Sequence, residues 1–120
     1  MCSVVGVYNN KNAARKCFYS LFSMQHRGQE AAGISSNKNG KIHTIKDRGL
    51  VTEIFKEEHF SNVLNGDMAI GHTRYSTAGD DSILDAQPVY AKYGLGEISI
   101  VHNGNLTNKE QVREDLINKG

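Results

Sequence analysis

Met1-Cys2-Ser3-Val4-Val5-Gly6-Val7-Tyr8 opens the chain, and its reading decides how the rest is arranged. Ser3–Tyr8 is rich in valine and apolar on both faces, which predicts a buried strand. Cys2 stands immediately before that strand. A small residue at position two normally allows Met1 to be removed, leaving a free amine beside a thiol. Thiols have a reference pKa of about 8.5 and α-amines one of about 7.7–8.0, so the two groups can exchange a proton near neutral pH. The amine can then act as the local base for the nucleophile without a separate histidine. Alone, Cys2 reads as a cysteine at a frayed terminus, and the case for chemistry has to come from further along the chain.

At 120 residues the chain is long enough for one modest core. Lys and Arg number 14 against 13 Asp and Glu, with no basic block or acidic tail, so composition suggests neither a nucleic-acid nor a membrane partner. The five tyrosines are scattered and do not interleave with basic residues. Cys2 and Cys17 are too few for a disulfide framework and lack the CxxC spacing of a metal site. The first apolar run lacks the length and basic flank of a signal peptide, and no stretch is long enough to span a bilayer. The expectation is a protein of a reducing cytoplasm.

Outward from the first strand, Asn9–Asn12 reads as a turn, with Asn12 placed to cap a helix. Ala14, Cys17, Phe18, Leu21 and Phe22 recur at helical spacing as one apolar stripe, which makes Cys17 a core residue. Gln25–Glu30 interrupts the pattern. Ala31–Ser36 and Lys41–Lys46 then read as a hairpin about Asn39-Gly40. Val51–His59 is expected as a short helix with Ile54 and Phe55 inward, continuing toward Leu64. Met68–Ile70 begins another buried strand, and Val89–Ala91 pairs with Glu97–Val101. Thr107 and Glu110 suggest a capping box for a last helix carrying Val112, Leu116 and Ile117. Strands in the middle with helices flanking them give an α+β layered fold with largely antiparallel sheets.

Polar clusters fall at the ends of these elements. Arg27 and Arg74 read singly as well for surface ion pairs as for binding. Asn103-Gly104 alone reads as a turn. His26 and His72 alone read as packing or capping residues, and no spacing links them into a zinc site. Together with Cys2 the clusters make the parts of an acyl-transfer site. A thiol attacking an amide creates a tetrahedral oxyanion that needs fixed donors, and losing one costs about 100- to 1000-fold in rate. Asn103 offers a side-chain amide, and Gly104 a backbone N–H approachable at close range. Arg74 offers a planar fork for a carboxylate, with Thr77 near enough in sequence to add a hydroxyl.

Gln25-His26-Arg27-Gly28-Gln29-Glu30-Ala31-Ala32-Gly33-Ile34, the Gly71–Gly79 segment, Ala86-Gln87-Pro88 and His102-Asn103-Gly104-Asn105-Leu106-Thr107-Asn108 together resemble the glutaminase domain of the amidophosphoribosyltransferase family. That family is a branch of the class II glutamine amidotransferases, and the resemblance runs through essentially the whole chain. It implies an N-terminal nucleophile hydrolase αββα sandwich, here incomplete. Residues 1–120 would be the N-terminal part of the glutaminase domain, with the phosphoribosyltransferase domain absent. It also implies that Cys2 forms a γ-glutamyl thioester from L-glutamine and releases ammonia. Asn103 and Gly104 would hold the oxyanion, Arg74 the α-carboxylate, with Thr77 a helper and Arg27 in support near the nucleophile.

In the full family enzyme the ammonia displaces pyrophosphate from phosphoribosyl pyrophosphate, giving phosphoribosylamine in the first committed step of purine synthesis. Magnesium would serve that other half, and homo-oligomers are expected at full length. An iron–sulfur cluster and an extended propeptide occur in some members. Two cysteines cannot supply four thiolates, and Cys2 directly after Met1 argues against the propeptide. The hexosamine-phosphate synthases carry Tyr-Arg-Gly-Tyr-Asp and Arg-Trp where this chain has His26-Arg27-Gly28-Gln29-Glu30 and Arg74-Tyr75, and asparagine synthetases carry Arg-Gly-Pro-Asp. The Ser-Asp-Ser/Thr-Glu-type motif that binds the glutamine α-amine in the family is not found within residues 1–120. The expectation is therefore a fragment, weakly active or inactive alone, that exposes apolar surface. The alternatives are another class II amidotransferase and a non-catalytic binding domain.

Overall fold

A computed structural model of the chain describes residues 1–75 and 85–120. The order is β1 (Ser3–Val7), α1 (Ala13–Ser23), a single 3-10 turn (Gln25–Arg27), β2 (Ala31–Lys38), β3 (Lys41–Arg48), α2 (Val51–Ile54), α3 (Glu57–Asn62), β4 (Met68–Arg74), β5 (Val89–Tyr93), β6 (Gly96–Ile100) and α4 (Lys109–Asn118). Four strands form one sheet in the order β1-β4-β2-β3, and β5 pairs with β6 in a second. Each of these pairings is antiparallel, so the α+β class stands.

The two faces of the first sheet follow from register. Val5, Gly71, Ile34 and Ile45 form one row across it, and α1 lies on that side. Gly71 makes the close approach possible, because a Cβ there would come within 2.9 Å of both Leu21 and Val5. Leu21 is fully buried as a result, a burial that stabilises by about 1.5–3 kcal/mol. Cys17, Val51, Phe55 and Leu64 complete this core. Phe18, Phe55 and Phe60 meet edge-on or tilted at its rim.

The adjacent row, Val4, His72, Gly33 and Lys46, faces the opposite way. The β5–β6 hairpin and its flanks lie over that side. A Cβ on Gly33 would collide with the carbonyl oxygen of Gln87 at 2.1 Å, so only glycine admits the Gln87-Pro88 segment so near the sheet. Lys46 Nζ donates to the carbonyls of Ala86 (2.8 Å) and Pro88 (3.0 Å). Ser99 donates to Ser35 (2.7 Å), and Glu97 accepts the Ile42 N–H at the outer strand β3.

Several local expectations need correction. β1 is an edge strand, and Val4 on it is 42 % exposed among the described residues. Asn12 occupies the N-cap position but its side chain caps nothing; Asn10 Oδ1 instead accepts the Asn12 N–H at 2.9 Å. Phe22 points outward, since the buried stripe is centred on Ala13, Ala14, Cys17 and Leu21. The expected 51–59 helix is two short helices broken at Phe55 and Lys56, whose extended backbone lets Phe55 turn into the core. No capping box forms at Thr107 and Glu110, because α4 starts one residue later, after Asn108. Leu116 and Ile117 on α4 are exposed, as are Leu95, Ile98 and Ile100 on the hairpin. The Asn39-Gly40 turn is as expected, with φ of +55° and +82°.

Candidate active site

β1 and β4 run antiparallel with Ser3 opposite Thr73, so Cys2, one residue earlier, falls beside Arg74 at the end of β4. The Ser3 and Thr73 hydroxyls are hydrogen-bonded to each other in the buried interior and lock that register. The Cys2 thiol faces the Tyr75 carbonyl at 3.9 Å, a weak S–H donor contact. Gly28 packs straight onto the same strand end: a Cβ there would lie 2.7 Å from the Arg74 carbonyl. The turn holding His26 and Arg27 is thereby brought to Cys2's end of the sheet. Arg27 Nη2 donates to Met1 Sδ (3.1 Å). Met1, His26, Arg27 and Tyr75 line an open depression of about 740 Å³.

Asn103 reaches this place from the far end of the chain. Its Nδ2 donates to the Cys2 carbonyl at 3.1 Å. A side-chain amide carries two N–H groups, so the second is not consumed by this bond. Gly104 follows with φ of +151°, a conformation L-residues rarely adopt.

His102, just before Asn103, is held at both backbone groups. Its N–H donates to Gln87 Oε1 (2.6 Å), and its carbonyl accepts from His72 Nε2 (3.1 Å). His72 is fully buried, and burial lowers its pKa to about 4, with the Arg74 and His102 charges acting in the same sense and the hydrogen bond against. The ring is neutral at pH 7 with its proton on Nε2. Its buried Nδ1 has no hydrogen-bond partner among the described residues.

Arg74 keeps its side chain only 19 % exposed and pairs with Asp85 Oδ2 at 3.3 Å. Such a fork can take a carboxylate through two parallel N–H donors. Thr77 lies outside the described residues. Cys17 is no rival nucleophile: it is buried in the core, and desolvation pushes its thiol up to about 12. No group of three or more His, Cys, Asp or Glu converges as a metal site among the described residues.

Cys2, Asn103 and the end of β4 thus share one corner, with Arg27 reaching it through Met1. Gln87 and His72 fasten the Asn103 segment: His72 is the buried packing residue that the sequence suggests, and Gln87, part of the Ala86-Gln87-Pro88 motif, has no role of its own in the sequence reading. The available signal for Gln87 was its place directly before the only proline. Gln25, inside the His26-Arg27 motif, is a brace: Oε1 accepts the Val51 N–H (2.7 Å) and Nε2 donates to the Gly28 carbonyl (2.6 Å).

No family model matches the chain. Among curated proteins, it is 44% identical to the amidophosphoribosyltransferase of Methanocaldococcus jannaschii and 49% identical to that of Archaeoglobus fulgidus, each over 100% of this chain and 26% of the relative. It is 46% identical to the chloroplastic amidophosphoribosyltransferase 2 of Arabidopsis thaliana, over 99% of this chain and 21% of that one. Among solved structures, it superposes on an allosteric regulatory enzyme of purine biosynthesis with a TM-score of 0.89 and 38% identity, covering 100% of this chain and 26% of that one. It also matches a glutamine phosphoribosylpyrophosphate amidotransferase from B. subtilis complexed with ADP and GMP, with a TM-score of 0.85, 37% identity, and 100% and 25% coverage. The chain spans about a quarter of the length of these relatives.

Proposed function

We propose, from the premise that this chain is homologous from end to end with about a quarter of the amidophosphoribosyltransferases, that it is their glutaminase part. In this reading Met1 is removed and the freed α-amine of Cys2 takes the thiol proton. The sulfur attacks the side-chain amide carbon of L-glutamine, giving a tetrahedral oxyanion. The carbon–nitrogen bond breaks, the amine returns its proton to the leaving nitrogen, and ammonia departs. Water then adds to the γ-glutamyl thioester, the carbon–sulfur bond breaks, and glutamate leaves with the thiol restored.

The remaining N–H of Asn103 and the N–H of Gly104 stabilise the oxyanion, and Arg74 binds the substrate α-carboxylate in place of Asp85. Thr77 assists there. Arg27, released from Met1, lies along the wall of the depression beside the nucleophile. In a protein of the relatives' length the ammonia would convert phosphoribosyl pyrophosphate to phosphoribosylamine, and the two sheets would be layers of an N-terminal nucleophile hydrolase sandwich. The protein would act in the cytoplasm as a homo-oligomer.

The observation that supports the reading is the hydrogen bond from the Asn103 amide to the Cys2 carbonyl, which brings a side-chain donor to the residue proposed as nucleophile. The test is to prepare the protein with Met1 retained and with Met1 removed, and to measure glutamine-dependent ammonia and labelling by a glutamine-mimicking diazo-ketone. Ammonia release and labelling at Cys2 are expected only from the processed form. Labelling at Cys17 or nowhere, with no ammonia from the processed form, would favour a non-catalytic domain.

A further inference from the structure

We propose that Gln87 and His72 are positioning residues for the oxyanion donors, acting through the two backbone groups of His102 that they hold. The inference rests on the glutaminase reading. His102 joins to Asn103 through the peptide whose carbonyl accepts from His72, so fixing that carbonyl fixes the plane from which the Asn103 side chain and backbone depart. Gln87 fixes the preceding peptide through the His102 N–H. With both planes set, only the rotations within Asn103 itself stand between them and the Gly104 N–H.

The grips are themselves anchored in the sheet. His72 lies on the central strand β4, opposite Val4 on one side and Gly33 on the other. Gln87 is flanked by Ala86 and Pro88, both buried, whose carbonyls Lys46 clasps from β3. Gly33 clears the space for the Gln87 carbonyl. A continuous path of hydrogen bonds and close contacts thus runs from β2 and β3 through Gln87 and His102 to Asn103, and from there to the Cys2 carbonyl.

Energetics separate this from simple packing. A buried polar atom without a hydrogen-bond partner is costly, and His72 Nδ1 has none among the described residues. An apolar side chain would fill the interior without that cost, whereas His72 supplies through Nε2 the donor that the His102 carbonyl takes. Burial also keeps the ring neutral at pH 7, so the donor is present on one nitrogen only.

The experiment uses the processed protein and the variants Gln87→Met, Gln87→Glu and His72→Gln. Gln87→Met keeps length but removes the acceptor; Gln87→Glu keeps an oxygen for the His102 N–H. Glutamine hydrolysis gives kcat and KM. Alkylation of Cys2 by iodoacetamide gives a second rate that involves no oxyanion. Misplacing reacting groups by about 1 Å can cost on the order of 100-fold, so Gln87→Met is expected to lower kcat by about 10- to 100-fold. Its KM and its alkylation rate should stay near the parent's, and Gln87→Glu and His72→Gln, which keep an acceptor and a donor for His102, should each retain most of the parental kcat. The proposal is overturned if Gln87→Met keeps parental kcat, if kcat and alkylation fall together, or if Gln87→Glu is no better than Gln87→Met. The processed parent's weak hydrolysis is the reference rate; if that protein neither hydrolyses glutamine nor takes the diazo-ketone at Cys2, the glutaminase reading falls together with this one.

Discussion

The side-chain amide of Asn103 donates to the main-chain carbonyl of Cys2, 101 positions away in the chain, joining the segment after the last strand to the residue before the first. The contact has two consequences. It orders the start of the chain, and it leaves the second amide N–H for a substrate oxygen. Replacing Asn103 by alanine removes both. Loss of one oxyanion donor lowers kcat by about 100- to 1000-fold, and Asn103→Asp is expected to be at least as damaging because its carboxylate repels the developing charge. Steady-state glutamine hydrolysis checks this, with KM moving little. A loss confined to KM would remove Asn103 from the oxyanion role.

The two cysteines should differ sharply toward electrophiles. Cys2 is partly accessible, whereas Cys17 is buried against the sheet with its thiol held at about 12, which leaves almost no thiolate at neutral pH. Iodoacetamide on the native protein should therefore modify Cys2 alone, and both only in denaturant. Peptide mapping after a timed exposure reads the result. Equal labelling under native conditions would mean that the α1 core opens far more readily than its packing implies.

What the sequence revealed and what it hid follow from the range of the forces involved. The hairpin at Asn39-Gly40 was readable because positive φ is a local demand met by those two residues. The α1 stripe was readable because helical spacing records a face, although the outward turn of Phe22 depends on where the sheet lies. β1 looked buried on both faces because valine content reports strand propensity and carries no information on sheet order. At the site, Cys2, Arg74, Asn103 and Gly104 were singled out by chemical type. The clasp of Gln87 and His72 on His102 was not visible, since it depends on Gly33 admitting the Gln87-Pro88 segment to the sheet.

Arg74 carries Asp85 at 3.3 Å, and in the glutaminase reading a substrate carboxylate would displace it. Asp85 is about half exposed, and exposed ion pairs are worth about 0–1 kcal/mol, so Asp85→Asn should lower KM for glutamine by no more than about fivefold. Arg74→Lys should raise KM strongly, because a point charge replaces a two-pronged donor. Glutamine titrations of the three proteins decide it. An Asp85→Asn protein whose KM rises would make Asp85 part of the substrate site instead of a competitor for it.

His72 should make stability fall with acidity. Its pKa in the fold is lowered to about 4 from the ordinary histidine value of 6.5, chiefly by burial, so between those values the unfolded chain binds a proton that the native state refuses. The stabilisation is therefore complete above about pH 6.5 and drains away as pH falls toward 4, by about 3 kcal/mol in all. Carboxylates titrate in the lower part of the same window, so the measurement is a difference between the parent and His72→Gln, whose side chain has an amide donor and no titration. Denaturant unfolding at pH 7, 5.5 and 4 should show the parent losing ground to the variant at each step down. Arg74 and His102, the charges that act on His72, are unchanged in the comparison. A stability gap that stays constant across the three pH values would show that the buried imidazole accepts its proton in the folded protein as easily as in the unfolded one.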